Sequence, residues 1–544
     1  MTLGATWRSR VARRLLSLSV RPIHVIAALP LIGMAVLTPW LLALPIYVDE
    51  LESKAINSRY LLDGGKLIYL LPSCNGFLEP MPLSWYPARL LDVAIFADMT
   101  DPQRLRYWGC AIFLASMFYV SWVAKRTLSL TAPLPSVLGV TWATLSLGVL
   151  PFLLVLHRAE QAALVPLLIG CTLPVVSTPN GDARWRSWGF AALYVLLSWF
   201  MLAGHTKTVL LLPALLLSAA LMIRRWLPVM MLFGAAAFGF IETYRLWQVR
   251  YDCPNSPFLA QIYRSVAVSP DDLASGITPF LQRIEVNLLG ASKYWRAAEF
   301  GLDFQSYWLP SASQVTSVEH VINFMLPALV LLAVLIIVLA IIIELTNKSE
   351  RFCLSRGTAI AAALLVGLLS LAALQINKNF YEASLQFPVL SLAVLLALPA
   401  VLRRTACART LWSGAIVGLV MLALSSNAAL ALRLWAELPH WWGKIASREL
   451  RQQALGRVIE RCGIDKGPNS KRLILDDFAY SVLWRTREPM FMAFFEGWWA
   501  TGLDQEKLIA ERKVSGLIAH CNQFPAKYSG LAVTDQTFCC VNFK

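Results

Sequence analysis

Two adjacent carboxylates stand where they could act on a substrate at a membrane surface. Asp49 and Glu50 directly follow a long apolar segment. A fixed carboxylate in that position can remove the proton from a hydroxyl nucleophile. It can equally cap the helix predicted for residues 51–62, on which Leu51, Ala55, Ser58 and Leu62 share one face. A catalytic role and a capping role both stay open for Asp49 on residue chemistry alone.

Three short turns between apolar segments each carry one basic residue among other polar groups. The turns are His157-Arg158-Ala159-Glu160-Gln161, His205-Thr206-Lys207-Thr208 and Asn377-Lys378-Asn379-Phe380-Tyr381-Glu382. Arginine binds phosphate through a bidentate fork, and lysine binds it as a point charge. The alternative is ordinary loop charge, with Arg158 neutralised by Glu160 and Lys378 by Glu382.

One base in each of three turns, opposite the acidic pair, favours a phosphate-binding site. We therefore take Arg158, Lys207 and Lys378 as candidate phosphate ligands. Secondary candidates are the other polar residues of the same turns: Glu160, His157, His205, Tyr381 and Glu382.

The elements that must position these residues are membrane-spanning helices. Apolar residues make up 57% of the 544 residues and charged residues 15%, against roughly 25% charge in globular proteins. This composition excludes an ordinary soluble enzyme, a disordered chain and a nucleic-acid-binding domain. With ~20 apolar residues needed per span, the sequence predicts about eleven spans. They lie near residues 22–45, 107–124, 134–156, 161–176, 187–204, 209–223, 226–247, 322–344, 357–376, 387–402 and 411–432.

The basic residues predict the orientation of these spans. The formal net charge is +15, and most of the excess lies beside alternate spans, as the positive-inside rule requires. Some of it could also attract anionic lipid phosphates. Pairs such as Lys125 and Arg126, or Arg224 and Arg225, alternate with turns that hold a single base. We expect a cytoplasmic N-terminus and an exoplasmic C-terminus.

All large non-membrane segments then lie on the exoplasmic side. They are the loops at about 46–106 and 248–321 and the tail 433–544. We expect surface helices in the loops, including one over Pro87–Met99, and a small α/β domain in the tail after a membrane domain of residues 1–432. The predicted tail strands are 472–475, 489–495, 514–520 and 531–541, with a helix at 504–513.

The cysteines agree with an oxidising exoplasmic side. Six of the ten fall there: Cys74, Cys253, Cys462, Cys521, Cys539 and Cys540. Disulfides form in such compartments, and neither of the adjacent pair Cys539 and Cys540 is expected to bond to the other. They would pair elsewhere, for example one of them with Cys521, but the sequence alone does not give the connectivity. Without C-x-x-C pairs or histidine clusters, a structural zinc site is not expected.

Several sequence motifs are absent. The chain has no P-loop, no dinucleotide-binding glycine motif, no Asp-x-Asp motif and no Gly-x-Ser-x-Gly elbow. Few charged residues lie inside the spans, whereas an ion-coupled transporter buries some at mid-membrane.

The order and sidedness of the polar motifs resemble those of the GT-C superfamily of integral-membrane glycosyltransferases. Asp49-Glu50 follows the first span, Arg158-x-Glu160 opens the fourth, Lys207 opens the sixth, and Lys378-Asn379-Phe380-Tyr381 precedes a late span. The resemblance covers the architecture of residues 1–430. Within the superfamily, the chain most resembles the group that includes aminoarabinose transferases and protein mannosyltransferases.

The resemblance implies a polyprenyl-phosphate-linked sugar as donor, transfer on the exoplasmic face and inversion at the sugar carbon. It implies that Asp49 is the general base or a metal-contacting acid, with Glu50 beside it, and that Arg158, Lys207 and Lys378 hold the carrier phosphate. The need for a divalent metal ion stays open, and no other cofactor is expected. The acceptor would be an envelope glycan such as lipopolysaccharide, a lipid or a protein. The setting would be the bilayer of a bacterial inner membrane.

Two other classes stay open. A lipid-linked glycan polymerase or ligase also contacts a polyprenyl phosphate, and it needs arginines in a large outer loop, which Arg250, Arg264, Arg283 and Arg296 could supply. A multi-pass transporter or flippase would show polar residues along a pore and internal repeats.

Overall fold

The computed structural model describes most of the chain and shows a multi-pass integral membrane protein. The described residues are 22–43, 46, 48–56, 58, 68–71, 77–128, 132–177, 184–253, 260, 264, 266–268, 270–301, 315–346, 354–376, 380–404, 409–441, 448–464, 472–483, 490–491, 504–521, 524–535 and 537–543.

Among these residues, nine helices are long and apolar enough to cross a membrane. They are Pro22–Leu42, Gln103–Thr127, Ala159–Val176, Trp185–Gly204, Trp226–Val249, Ser317–Leu345, Arg356–Leu374, Ala383–Arg403 and Trp412–Trp435. Each matches a segment predicted from the apolar runs. The predicted α-helical polytopic fold is therefore confirmed.

The two remaining predicted spans are shorter apolar helices. The sixth consists of a 3-10 turn, Thr206–Leu211, and the helix Leu212–Met222. The third was expected to be continuous over 134–156, but it breaks after Leu134–Leu145 and resumes as Leu150–Leu154. Gly148 adopts φ +59° at the break, and its N–H donates to Ser426 Oγ at 2.7 Å. Hydropathy could not reveal this break because the residues on both sides of it are apolar and buried.

The outer loop after the first span is largely helical near the membrane. A short helix, Val48–Glu50, continues as a π-helix, Leu51–Ile56, and Leu51, Ala55 and Ser58 are buried as their spacing predicts. A two-stranded antiparallel hairpin pairs Ile68–Leu71 with Phe77–Pro80. A 3-10 turn, Leu83–Trp85, then leads into the predicted surface helix, which runs over Tyr86–Phe96.

The described residues of the second outer loop include three short helices. They are the 3-10 helix Pro270–Ser275 and the α-helices Ile277–Leu289 and Ser292–Arg296. Asn287 Nδ2 of the middle helix donates to the carbonyl of Ala373 at 2.9 Å, which holds this loop against the end of the helix Arg356–Leu374.

The tail forms the expected small α/β domain. The last membrane helix runs over Arg409–Trp441 and is followed by a helix at Arg448–Cys462. A five-stranded sheet then has the order 490–491, 472–475, 514–520, 538–542, 533–535, in which the first three strands are parallel and the last two pairings are antiparallel. Helices Asp477–Leu483 and Gln505–Arg512 join the strands. The helix 409–441 runs through residue 432, so the boundary at 432/433 stays a prediction.

Two details of the tail answer expectations from the sequence. The predicted last strand, 531–541, is in fact two antiparallel strands, Val533–Asp535 and Phe538–Asn542, because the chain turns between them. Disulfides join Cys521 to Cys539 and Cys462 to Cys540. Cys539 and Cys540 thus pair elsewhere and not with each other, and one of them bonds with Cys521, the example that the sequence offered.

The α/β domain packs on the first outer loop. One hydrophobic cluster contains Ile46, Leu51 and Phe96 of that loop together with Leu455 and Tyr480 of the tail. The domain therefore lies at the same end of the helix bundle as Asp49.

Candidate active site at the membrane boundary

Residues from four chain segments form what we call the charged site: Asp49, Arg158, Glu160, His205, Lys207 and Glu382. Asp49 follows the first spanning helix, and Arg158 and Glu160 begin the helix Ala159–Val176. His205 and Lys207 follow the helix Arg184–Gly204, and Glu382 directly precedes the helix Ala383–Arg404. Because these side chains contact one another, the four helix ends lie at the same end of the bundle. That arrangement agrees with the predicted alternation of loops.

Arg158 is at the centre of the charged site. Its Nη2 lies 2.8 Å from Asp49 Oδ2, and its Nε lies 3.4 Å from Glu160 Oε2. The guanidinium carbon lies 3.4 Å from the centre of the Tyr381 ring, a cation–π contact. Arg158 itself is buried, whereas the Asp49 side chain keeps 33% of its surface exposed. Asp49 is thus an accessible carboxylate held by a fixed cation.

His205 orients the next turn of the chain. It caps the 3-10 helix Thr206–Leu211, where its Nδ1 accepts from the backbone N–H of Lys207 at 3.1 Å. A neutral imidazole that accepts at Nδ1 carries its proton on Nε2. That Nε2 lies 3.5 Å from Glu160 Oε1, so the ring directs a donor toward the Glu160 carboxylate.

Lys207 ends a chain of polar contacts that starts in the second outer loop. The hydroxyl of Tyr294 donates to Gln375 Oε1, the Gln375 amide donates to Glu382 Oε1, and Lys207 Nζ pairs with the same oxygen. Burial raises the pKa of Glu382 above its usual value, and the neighbouring Lys207 opposes that shift. Tyr294 and Gln375 were not predicted, because a lone tyrosine in a long loop and a glutamine at a helix end give no sequence signal.

The geometry separates Glu50 from its neighbour Asp49. Glu50 is fully buried; its Oε2 lies 2.9 Å from Arg106 Nη2, and its Oε1 accepts from the backbone N–H of His157 at 2.8 Å. Both oxygens are engaged with the protein scaffold. We infer that Glu50, which the sequence suggested as a second catalytic residue, instead ties the first loop to the turn that holds Arg158.

His157 also belongs to this scaffold. Its Nδ1 lies 2.9 Å from Gln161 Oε1, and its ring packs against Phe96 with the centroids 5.5 Å apart. Burial, aided by the charge of Lys54, lowers the pKa of His157 to about 4. The ring is therefore neutral at physiological pH.

A second cluster of buried charged residues lies outside the charged site. Asp92 Oδ1 pairs with Lys54 Nζ at 2.9 Å, and Asp92 Oδ2 pairs with Arg89 Nη1 at 3.1 Å. Arg89 Nη2 also donates to the carbonyl of Ala203 at 2.9 Å, near the end of the helix that precedes His205. This cluster was not predicted, although Arg89 and Asp92 stand at the i, i+3 spacing of an ion pair on the predicted surface helix.

The remaining predicted ligand, Lys378, lies outside the described residues. Within the described part of the chain, no group of three His, Cys, Asp or Glu side chains is arranged to hold a metal ion.

Comparisons with known proteins give a structural likeness. No family model matches the chain, and no curated protein sequence matches it. The fold is similar to that in the crystal structure of ArnT from Cupriavidus metallidurans bound to undecaprenyl phosphate. The sequence identity is 11%, the TM-score is 0.46, and the likeness covers 94% of this chain and 96% of that chain.

The inferred scaffold role of Glu50 can be tested by measuring the thermal stability of variants. Arg106→Met leaves the Glu50 carboxylate buried without its cation, which should cost about 3–5 kcal/mol of stability. The double variant with Glu50→Gln removes both charges, and the oxygen of the introduced amide can still accept from the His157 N–H. We expect the thermal unfolding midpoint in detergent to fall in the single variant and to recover in part in the double variant.

A suitable control is Arg457→Met, because Arg457 is an exposed partner of Asp535 and Arg461 also lies 4.0 Å from that carboxylate, so the midpoint should change little. A single Arg106 variant as stable as the natural protein, or a double variant no better than the single one, would contradict a scaffold role for the Glu50–Arg106 pair.

Proposed function

We propose that this protein is a membrane glycosyltransferase that moves a sugar from a polyprenyl-phosphate carrier to an acceptor hydroxyl. The observation that carries the proposal is the ion pair between Arg158 and the accessible Asp49, with Lys207 in the same site. A base and two cations at the end of a helix bundle match the needs of a substrate whose tail lies in the bilayer and whose phosphate lies at its surface.

Each part of the reaction has a group suited to it. The acceptor oxygen attacks the anomeric carbon of the sugar while Asp49 takes the hydroxyl proton. The bond from the anomeric carbon to the phosphate oxygen breaks, and its electron pair stays on the carrier phosphate. Arg158 and Lys207 stabilise the negative charge that develops there. Attack opposite the leaving phosphate inverts the anomeric carbon, as the family resemblance implies.

The ion pairs of the site suggest how the donor would prepare it. Arg158 pairs with Asp49, and Lys207 with Glu382. A phosphate is a strong bidentate partner for arginine, so an arriving carrier would compete with Asp49 for the guanidinium. Asp49 would then be more basic when donor is bound than when it is absent. The sequence also offers Lys378 as a candidate third cation.

We place this chemistry on the exoplasmic face of a bacterial inner membrane, with the N-terminus in the cytoplasm. The basic pairs in alternate loops support that orientation. The disulfides Cys462–Cys540 and Cys521–Cys539 support it further, because disulfides form in oxidising compartments. The acceptor would be an envelope glycan, a lipid or a protein.

Asp49→Asn keeps the shape of the side chain and removes its basicity. If Asp49 is the general base, transfer should fall by about 10²-fold or more, while binding of a polyprenyl phosphate is retained or becomes tighter, because the phosphate no longer competes with a charged Asp49 for Arg158. The transferred sugar is first identified by mass spectrometry of envelope glycans from cells with and without the protein. The transfer rate is then measured in isolated membranes.

The matched control is Asp272→Asn, because Asp272 pairs with Arg283 in the second outer loop and away from the charged site. It should transfer at the natural rate. Near-normal transfer by Asp49→Asn at normal protein levels would remove Asp49 as the base.

Arg158→Gln and Lys207→Gln test the phosphate site. A hydrogen bond to a charged group contributes about 1.5–3 kcal/mol, so each variant should bind a polyprenyl phosphate at least about tenfold more weakly. Because the two side chains would share one phosphate, the double variant should lose less than the product of the single effects. Binding is measured by titration of protein reconstituted in nanodiscs.

Arg283→Gln is the matched control, since Arg283 is an exposed arginine of the outer loop. If Arg158→Gln and Lys207→Gln both bind the carrier as the natural protein does, Arg158 and Lys207 are ordinary loop charges.

A further inference from the structure

We propose that the helix Ile277–Leu289 of the second outer loop lies in the bilayer interface, with one of its sides inserted among the lipids of the leaflet next to the charged site. The partner of this surface is lipid rather than another protein. The helix thereby sets the level of the bilayer surface relative to the charged site. The inference does not depend on the proposed function.

The first observation is the pattern of side chains around this helix. Four apolar residues recur at i, i+4, i+7 and i+11 and so form what we call the apolar stripe: Ile277, Leu281, Ile284 and Leu288. The polar residues of the helix lie away from the stripe: Thr278, Gln282, Arg283 and Glu285. On a helix that lies against a protein core, such a stripe faces the core.

The second observation is that the apolar stripe faces outward. Ile277 is 61% exposed, Leu281 54% and Leu288 39%. The helix is held to the protein on another side, where the buried Asn287 donates from Nδ2 to the carbonyl of Ala373 at 2.9 Å. Apolar surface kept in water is unfavourable. An interfacial helix instead buries its apolar side about 5–10 Å deep, at the boundary between headgroups and acyl chains.

The third observation is the surface beside which the helix is attached. Ala373 stands one turn beyond Leu369 and two turns beyond Val366 on the same side of the spanning helix Arg356–Leu374. Val366 and Leu369 are exposed on that spanning helix, so this side of it faces lipid. At 1.5 Å per residue, Ala373 lies only about 6 Å beyond Leu369 along the helix axis. The apolar stripe therefore lies next to the end of a surface that contacts the bilayer.

The fourth observation is that the loop is fixed at this level. The backbone of residues 266–268 pairs with that of residues 374–376 in an antiparallel bridge, through hydrogen bonds of 2.8 and 2.9 Å. Gln375 of the same segment donates to Glu382 of the charged site. The loop is thus joined, just before the helix and within it, to the segment that reaches the charged site. The bilayer surface and the charged site therefore lie at similar levels.

The test measures the depth of nitroxide labels on the protein reconstituted in nanodiscs. Single cysteine variants place the label on the apolar stripe, in Ile277→Cys and Leu281→Cys, or among the polar residues, in Gln282→Cys and Glu285→Cys. Electron paramagnetic resonance compares the collision rate of each label with oxygen, which dissolves in lipid, and with a water-soluble nickel chelate. The ratio of oxygen to nickel collisions should be several-fold higher on the apolar stripe. The measurement needs no substrate.

Two further labels calibrate the depth. Leu369→Cys marks the lipid-facing side of the spanning helix, and Glu506→Cys marks an exposed position of the α/β domain in water. The ratio at Leu281 should lie between the ratios at these two positions. The unsubstituted protein, taken through the same labelling, gives the background from its own thiols.

Two results would overturn the proposal. Equal ratios on both sides of the helix, at the value of the Glu506 label, would place the helix in water. Labels at Ile277 and Leu281 that are shielded from both oxygen and nickel would show that protein, rather than lipid, covers the apolar stripe.

Discussion

The contacts of Arg158 are the constraint on which the rest of the site depends. Its side chain contacts Asp49, which follows the first spanning helix, and Glu160, which lies at the start of the helix Ala159–Val176. It also contacts the ring of Tyr381, which precedes the helix Ala383–Arg404. Arginine can make several such contacts at once because its guanidinium is planar and donates in fixed directions. The ends of three separate membrane helices are thereby held together around one positive charge.

A charged side chain at a membrane boundary is costly unless it is paired. The ion pairs of this protein fall into two groups, which we call the inner layer and the outer layer, and they differ in how deeply they are buried. The inner layer is structural: Glu50 with Arg106, and Asp92 with Lys54 and Arg89, all buried. The outer layer contains Asp49 and Lys207, which retain 33% and 23% of their side-chain surface. Buried pairs are hard to separate without large cost, whereas partly exposed pairs can exchange partners. The exposed layer is therefore the part suited to binding and releasing a charged substrate.

Much of this organisation could be predicted from the sequence. The three polar turns and the acidic pair stood out because charge is rare in so apolar a chain, and six of their residues do meet in the charged site. The sequence could not separate Asp49 from Glu50, because only the packed structure shows that Glu50 faces Arg106. It could not reveal Tyr294 and Gln375, since their importance comes from contacts between residues far apart in the chain. The break at Gly148 was hidden for a similar reason: its supporting contacts come from Ser426 and Ala298.

The most direct test of the central claim is to locate a bound carrier. A polyprenyl phosphate with a photoreactive group beside the phosphate is incubated with the protein in nanodiscs, irradiated, and mapped by peptide mass spectrometry. We predict crosslinks in the peptides that contain Asp49, Arg158 and Lys207, and we predict that unlabelled polyprenyl phosphate suppresses them. Crosslinks spread over the lipid-facing helices, or unaffected by the competitor, would contradict a phosphate site at this boundary.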